Sequence, residues 1–163
     1  MILKSREIIT LSIFICCCLI FLPKASAFEI KKVTSTNGIK AWLVEDHKNP
    51  LITLQFVAKG GASADPKDKN GLAYLVSGLL DEGAGDLDSE SFQALLEKNS
   101  ISLSFNARMD TFSGTLTTLT ETKKEAFRSL RLALTVPRFD KEPVSRVKSQ
   151  ILAGLRASKE NPN

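Results

Sequence analysis

Two short runs in the second half of the chain constrain its fold more than anything else in it. Ile101-Ser102-Leu103-Ser104-Phe105 alternates strictly between apolar and polar residues, and Thr111-Phe112-Ser113-Gly114-Thr115-Leu116-Thr117 does the same. Alternation with a period of two marks a strand with one covered face. Arg108-Met109-Asp110 lies between the runs and reads as the tip of a hairpin. The covered face of such a hairpin needs another layer, and the flanking segments have helical spacing.

Before the hairpin, Gly71 to Leu80 is apolar on nearly all sides, which predicts a buried helix. Gly83-Ala84-Gly85-Asp86 breaks it. Asp88 or Ser89 then caps a helix over Glu90 to Lys98, with Phe92, Leu95 and Leu96 as its apolar face. After the hairpin, a helix through Glu121 to Thr135 directs Ala126, Phe127, Leu130 and Leu134 inward, and Pro137 stops it. A last helix starts at Lys141-Glu142-Pro143, runs to about Lys159 and ends at Asn161-Pro162.

Upstream, Phe28 to Thr34 and Ile39 to Glu45 read as two strands around the turn signal Asn37-Gly38. Leu51 to Ala58 is a third strand, apolar enough to be buried on both faces, and Gly60-Gly61 ends it. Strands and helices thus come in segregated runs. This predicts an α+β domain, a mostly antiparallel sheet packed with helices.

The N-terminus is of a different kind. Lys4 and Arg6 precede an uncharged run from Ile8 to Leu22, followed by Pro23-Lys24 and Ala25-Ser26-Ala27. This is the layout of a secretory signal peptide with an A-x-A cleavage site, so residues 1–27 are expected to be removed and residues 28–163 to form the exported domain. The competing reading is a retained anchor, but the run is shorter than the ~20 residues of a spanning helix. A lipoprotein signal needs a small residue before the modified cysteine, and Cys16 follows Ile15. The expected location is periplasmic or extracellular, with no stable membrane span after cleavage.

All three cysteines, Cys16, Cys17 and Cys18, lie in the leader, so residues 28–163 have neither disulfide nor thiolate ligand. The leader also takes three bases (Lys4, Arg6, Lys24) and one acid (Glu7) from a net charge of +4. What remains is nearly neutral, which excludes a nucleic-acid footprint.

Few catalytic sets can be built from these residues. The one histidine, His47, sits in a polar turn, and no Gly-x-Ser-x-Gly elbow exists. Zinc needs three protein ligands from His, Cys, Asp or Glu. Asp81-Glu82 is a paired carboxylate with the chemistry of a general acid and base. The blander reading is a solvated helix end.

Taken in order, five segments resemble the pitrilysin–insulinase–mitochondrial processing peptidase family, the inverted zincins. Asn37-Gly38-Ile39 with Trp42, Asp46 and Pro50 is similar to the family's opening hairpin. Phe56 to Ala62 is similar to its apolar strand and glycine turn, and Gly71-Leu72-Ala73 to the entry of its metal helix. Phe105-Asn106-Ala107-Arg108-Met109-Asp110-Thr111-Phe112 resembles its "N-A-x-T-x-x-D-x-T-x-Y" hairpin. Val136-Pro137-Arg138-Phe139-Asp140 resembles its break before the final helix.

In active members Gly-Leu-Ala runs into H-x-x-E-H, whose histidines hold zinc and whose glutamate activates water. The matching residues here are Tyr74, Ser77 and Gly78, and Gly154 stands where the third ligand, a glutamate, is expected. The resemblance therefore implies a non-catalytic member without zinc or any other cofactor. It also implies a heterodimer with a catalytically active homologue, and a peptide strand held at Asn106 and Ala107. The open alternatives are an independent peptide-binding module, a non-functional fragment of a longer member and, with Asp81 and Glu82, an enzyme of another kind. Family chains carry more of this domain and a second homologous one, so the resemblance also implies a domain incomplete at its C-terminus.

Overall fold

A computed structural model describes residues 29–160, so the expected leader and the expected Asn161-Pro162 helix stop lie outside the described residues. The described residues divide into two units, one before Asn49 and one from Asn49 onward.

In the first unit, β1 (Ile30–Thr34) and β2 (Lys40–Val44) pair antiparallel, from Ile30 opposite Val44 to Thr34 opposite Lys40. The Asn37-Gly38 signal makes the turn: Gly38 takes a φ of 82°, and its N–H donates to the Ser35 carbonyl at 3.0 Å. Such a φ is nearly free for glycine and strained for other residues.

The second unit is built on a three-stranded antiparallel sheet in the order β3 (Leu51–Lys59), β5 (Thr111–Leu119), β4 (Ser102–Ala107). The registers stack side chains in rows across the three strands. Leu54, Leu116 and Leu103 form one row, Phe56, Gly114 and Phe105 the next, and Ala58, Phe112 and Ala107 the last. These rows make the inner face. The alternate rows, Thr53-Thr117-Ser102, Gln55-Thr115-Ser104 and Val57-Ser113-Asn106, make an outer face that carries no charge.

Gly114 is where the inner face is most crowded. A Cβ there would lie 2.4 Å from Phe56 Cε1 and 3.0 Å from Phe105 Cδ1, so the missing side chain lets two rings cover one strand position. Phe112 continues this aromatic layer, with its centroid 6.3 Å from Phe56 and 6.1 Å from Phe105.

Two helices close the inner face. α2 (Ser89–Lys98) is capped by Asp88, which accepts from the Ser91 N–H at 2.9 Å. It buries Phe92 and Leu96. α3 (Lys123–Thr135) buries Ala126, Ser129, Leu130 and Ala133. Together with Ala84, Ile101, Leu103 and Leu116 these apolar residues form the core.

Two expectations fail on this face. Phe127 and Leu134 of α3 are each 42% exposed rather than inward. The buried stripe has the i, i+3, i+4, i+7 spacing of one helix face, but it is mostly small residues. Alanine and serine let the helix lie close to the sheet, which leaves the large side chains at its flanks. β3 is not buried on both faces either: Leu51 and Val57 are 54% and 70% exposed, because they lie on the outer face.

The close approach of α3 leaves one polar atom without a partner. Ser129 is fully buried, and its hydroxyl makes no hydrogen bond among the described residues. Ser129→Ala removes that orphan and adds a better helix former. The expected result is a gain of about 1 kcal/mol in urea denaturation.

The expected long helix over Gly71–Leu80 is also corrected. α1 spans only Leu72–Ser77. Its N-terminus is held by Asp65, whose carboxylate accepts from the Gly71 N–H at 2.7 Å and the Ala73 N–H at 2.8 Å. Beyond Gly78 the chain tightens into turns in which the Leu79 and Glu82 amides reach back three residues, to Val76 and Leu79. The segment is not buried all round: Leu79 and Leu80 are buried, while Leu72 is 39% and Tyr74 53% exposed. Finally, α4 (Lys141–Glu160) buries Pro143 and Val147 in its first half. No helix among the described residues is long and apolar enough to cross a membrane.

Candidate functional site

The exposed side of α1 forms one wall of a groove. β4 and α4 supply the others, enclosing a volume of about 1230 Å³. Its lining residues lie between Lys69 and Ser158, so His47 is not among them.

Positions from two distant parts of the sequence line this groove. Tyr74, Ser77 and Gly78 are spaced i, i+3, i+4 and therefore share one side of α1, and Gly154 of α4 lines the same groove. Ser77 is buried, and its hydroxyl donates to the Tyr74 carbonyl at 2.8 Å within its own helix. Gly78 lies close to α4: a Cβ there would sit 3.1 Å from Val147 Cγ1. Gly154 is its opposite, with no atom within 4 Å of the place its Cβ would take.

This set does not fit a zinc ion. A catalytic site needs three ligands among His, Cys, Asp and Glu. Here one position has a phenol, one a hydroxyl bonded to its own helix, and two have no side chain. Among the described residues no group of three such ligands is close enough to hold a metal.

Of the two peptide-holding candidates, the structure brings only Asn106 into the groove. Ala107 is buried and belongs to the inner face, where it pairs with Phe112. β4 is an edge strand of its sheet, so its outer backbone side is not engaged by β5.

Asp81 and Glu82 line the groove too, and they are not a solvated helix end. The Glu82 carboxylate accepts from Arg146 Nη2 at 2.6 Å and from the Ser89 hydroxyl at 2.5 Å, joining the end of the α1 segment to α2 and α4. Arg146 also faces Glu142, at 3.4 Å. Burial alone would raise the Glu82 carboxyl. The guanidinium and the hydroxyl outweigh it and hold the group below the ordinary glutamate range. A carboxylate bonded in this way is a clamp and a poor base.

Asp81 differs from its neighbour. Burial pushes its carboxyl up, and no side chain among the described residues pairs with it. Its own backbone N–H and the nearby Arg146 charge act in the other direction but do not outweigh burial, and the Asp81 carbonyl accepts from Gln93 Nε2 at 2.8 Å. Nothing local in the sequence announced Arg146 as the partner of Glu82, because 64 positions separate them.

The clamp has a measurable consequence. Because the folded-state carboxyl of Glu82 is lowered, its ionised form adds stability above the ordinary glutamate range, and that stability is lost as pH falls through the lowered value. Glu82→Gln should lower stability at pH 7 by about 1–2 kcal/mol, with the gap closing in acid. Thermal melts of the two proteins across pH check both the size and the sign.

The family model described as insulinase, peptidase family M16, matches residues 40–163. The non-peptidase homolog YmxG of Helicobacter pylori is 34% identical over 111 residues, which cover 68% of this chain and 26% of that protein. The chain thus spans about a quarter of that curated relative. Among solved structures, a peptidase M16 inactive domain from Pseudomonas fluorescens superposes with a TM-score of 0.74 at 24% identity, covering 82% of this chain and 33% of that one. Pitrilysin superposes with a TM-score of 0.68 at 19% identity, covering 83% and 14%. These two structures share the fold of this chain.

Proposed function

Because this chain belongs to the insulinase family, peptidase family M16, we propose that it is a non-catalytic member that holds peptide strands beside a zinc-bearing homologue. One observation carries the reading. The four positions that match the family's metal motif meet in one groove, and none of them supplies a ligand. The names of two similar proteins, a non-peptidase homolog and an inactive domain, support the same conclusion.

What the groove retains is suited to holding a chain. It has apolar walls, an edge strand with Asn106 facing the cavity, and the length of α4 along one side. An extended peptide adds to such an edge through backbone hydrogen bonds, which give affinity with little demand on sequence. Asn106 and the Ala107 backbone are the positions proposed to hold it. The leader sequence supports export, so the complex would work in the periplasm or outside the cell.

Two measurements test the proposal. Metal analysis and peptidase assays of the purified chain should find no stoichiometric zinc and no cleavage. One zinc per chain, with activity lost on chelation, would sink the reading. Purification from a native extract should recover a homologue with an intact H-x-x-E-H. Recovery of the chain alone would leave a peptide-binding module and remove the partner.

A further inference from the structure

The sequence Asn-Gly occurs twice in the chain, at Asn37-Gly38 and at Asn70-Gly71. The pair is chemically labile. The glycine nitrogen gives up its proton to solvent base and bonds to the asparagine Cγ. The Cγ–Nδ2 bond breaks, and ammonia leaves with a proton taken from water. Water then opens the cyclic imide at either carbonyl, which leaves aspartate or isoaspartate. Glycine permits this because it brings no side chain to hinder the attack and little resistance to the backbone rotation it needs.

The structure matches the two sites in most respects. All four residues are exposed. Gly38 and Gly71 have φ of 82° and 90°, and neither has an atom within 4 Å of the place its Cβ would take. They differ in what receives the attacking N–H. Gly38 donates to the Ser35 carbonyl at 3.0 Å, a neutral acceptor in a short exposed hairpin. Gly71 donates to the Asp65 carboxylate at 2.7 Å, and the same carboxylate holds the Ala73 N–H at 2.8 Å. A bond to a charged acceptor is stronger than one to a neutral carbonyl. The negative charge beside the nitrogen also opposes removal of its proton.

We propose that Asn37 is a site of spontaneous deamidation and that Asp65 protects Asn70 from the same reaction. The protection bears on the groove. Asn70 lines it, so conversion there would add a negative charge to the wall and, as isoaspartate, an extra main-chain carbon just before α1. At Asn37 the same conversion puts the charge and the extra carbon into the turn between β1 and β2. The proposal stands independently of the peptide-holding function.

The experiment holds the purified full chain at mildly alkaline pH, digests samples with trypsin and follows them by mass spectrometry. Each site falls in a peptide of its own, residues 33–40 and 70–98, with no other asparagine. Asn37 should convert about tenfold faster than Asn70 or more. In urea both hydrogen bonds are lost, and the two rates should converge. This comparison needs no variant. In Asp65→Asn, which keeps a neutral acceptor and whose folding circular dichroism checks, Asn70 should speed up toward the rate of Asn37 while Asn37 is unchanged. Equal rates in the folded chain, or a difference that persists in urea, overturns the proposal. So does an Asn70 rate that ignores Asp65→Asn or rises only together with that of Asn37.

Discussion

Gly61→Ala should destabilise the protein by about 3 kcal/mol or more, among the largest losses a single methyl can cause here. Gly61 has φ 155° and ψ −152°, a region open essentially to glycine alone. Its surroundings are worse than its angles. An added Cβ would lie 2.2 Å from the Arg108 carbonyl oxygen and 2.9 Å from that of Met109. Both are backbone atoms of the β4–β5 tip, and neither can rotate away. The loop is bonded to that tip on either side of Gly61. The Gly60 N–H donates to the Asp110 carbonyl at 3.1 Å, Ala62 to Arg108 at 2.9 Å and Ser63 to Met109 at 2.8 Å. Relieving the clash would break these bonds. Gly60→Ala is the informative comparison: φ is 115° there, but nothing lies within 4 Å of the new Cβ. It should show the conformational strain alone, about 1–2 kcal/mol. Denaturant titration of the two variants separates clash from strain, and a Gly61→Ala protein as stable as Gly60→Ala would refute the close approach.

The second large effect is the recovery of a metal site. Tyr74→His, Ser77→Glu, Gly78→His and Gly154→Glu, made together, rebuild the H-x-x-E-H set and its distant glutamate in one groove. The variant should bind about one zinc per chain and melt higher when zinc is added. The four positions are not equally permissive. Gly154 opens onto free space, so a glutamate enters without disturbing α4. At Gly78 the new side chain starts 3.1 Å from Val147 Cγ1, so one of the two must yield. Adding Val147→Ala should therefore tighten zinc binding further, at the expense of a small cavity beside α4. Isothermal titration with zinc, with and without the Val147 change, measures both steps. If neither variant binds zinc, the groove lacks the geometry that the family motif would require of it.

The sequence displayed its local structure well. The alternation of Ile101–Phe105 and Thr111–Thr117 produced β4 and β5 in the expected antiparallel pairing, and Asn37-Gly38 produced the first hairpin turn. Asp88 capped α2 as its chemistry dictates. These features depend on residues a few positions apart. The failures came where distant packing decided the outcome. Gly71–Leu80 is apolar throughout, but Gly78 ends α1 and the next residues turn, so one uninterrupted pattern covers two conformations. On α3, hydrophobicity favoured Phe127 and Leu134, whereas the available space favoured Ala126, Ser129 and Ala133. The positions of the groove were legible only through the family resemblance, since no local rule brings Tyr74 and Gly154 together. The division of labour between Asp81 and Glu82 was not legible at all, because it depends on Arg146.

The clamp at Glu82 also has a mechanical meaning. It fastens the start of α4 to the ends of α1 and α2. Beside it the Arg138 N–H donates to the Gly83 carbonyl at 3.1 Å and the Gly85 N–H to that of Val136 at 2.9 Å. This knot lies at one end of the groove. α4 is 20 residues long, about 30 Å of helix, with Arg146 near its start, and after Ile151 every described residue of it is exposed. The groove is thus built like a pair of tongs, riveted at the Glu82–Arg146 end and open at the Gly154–Ser158 end. Its grip on anything placed between the jaws depends on the stiffness of one helix, and Gly154 puts the softest link in that helix at the open end.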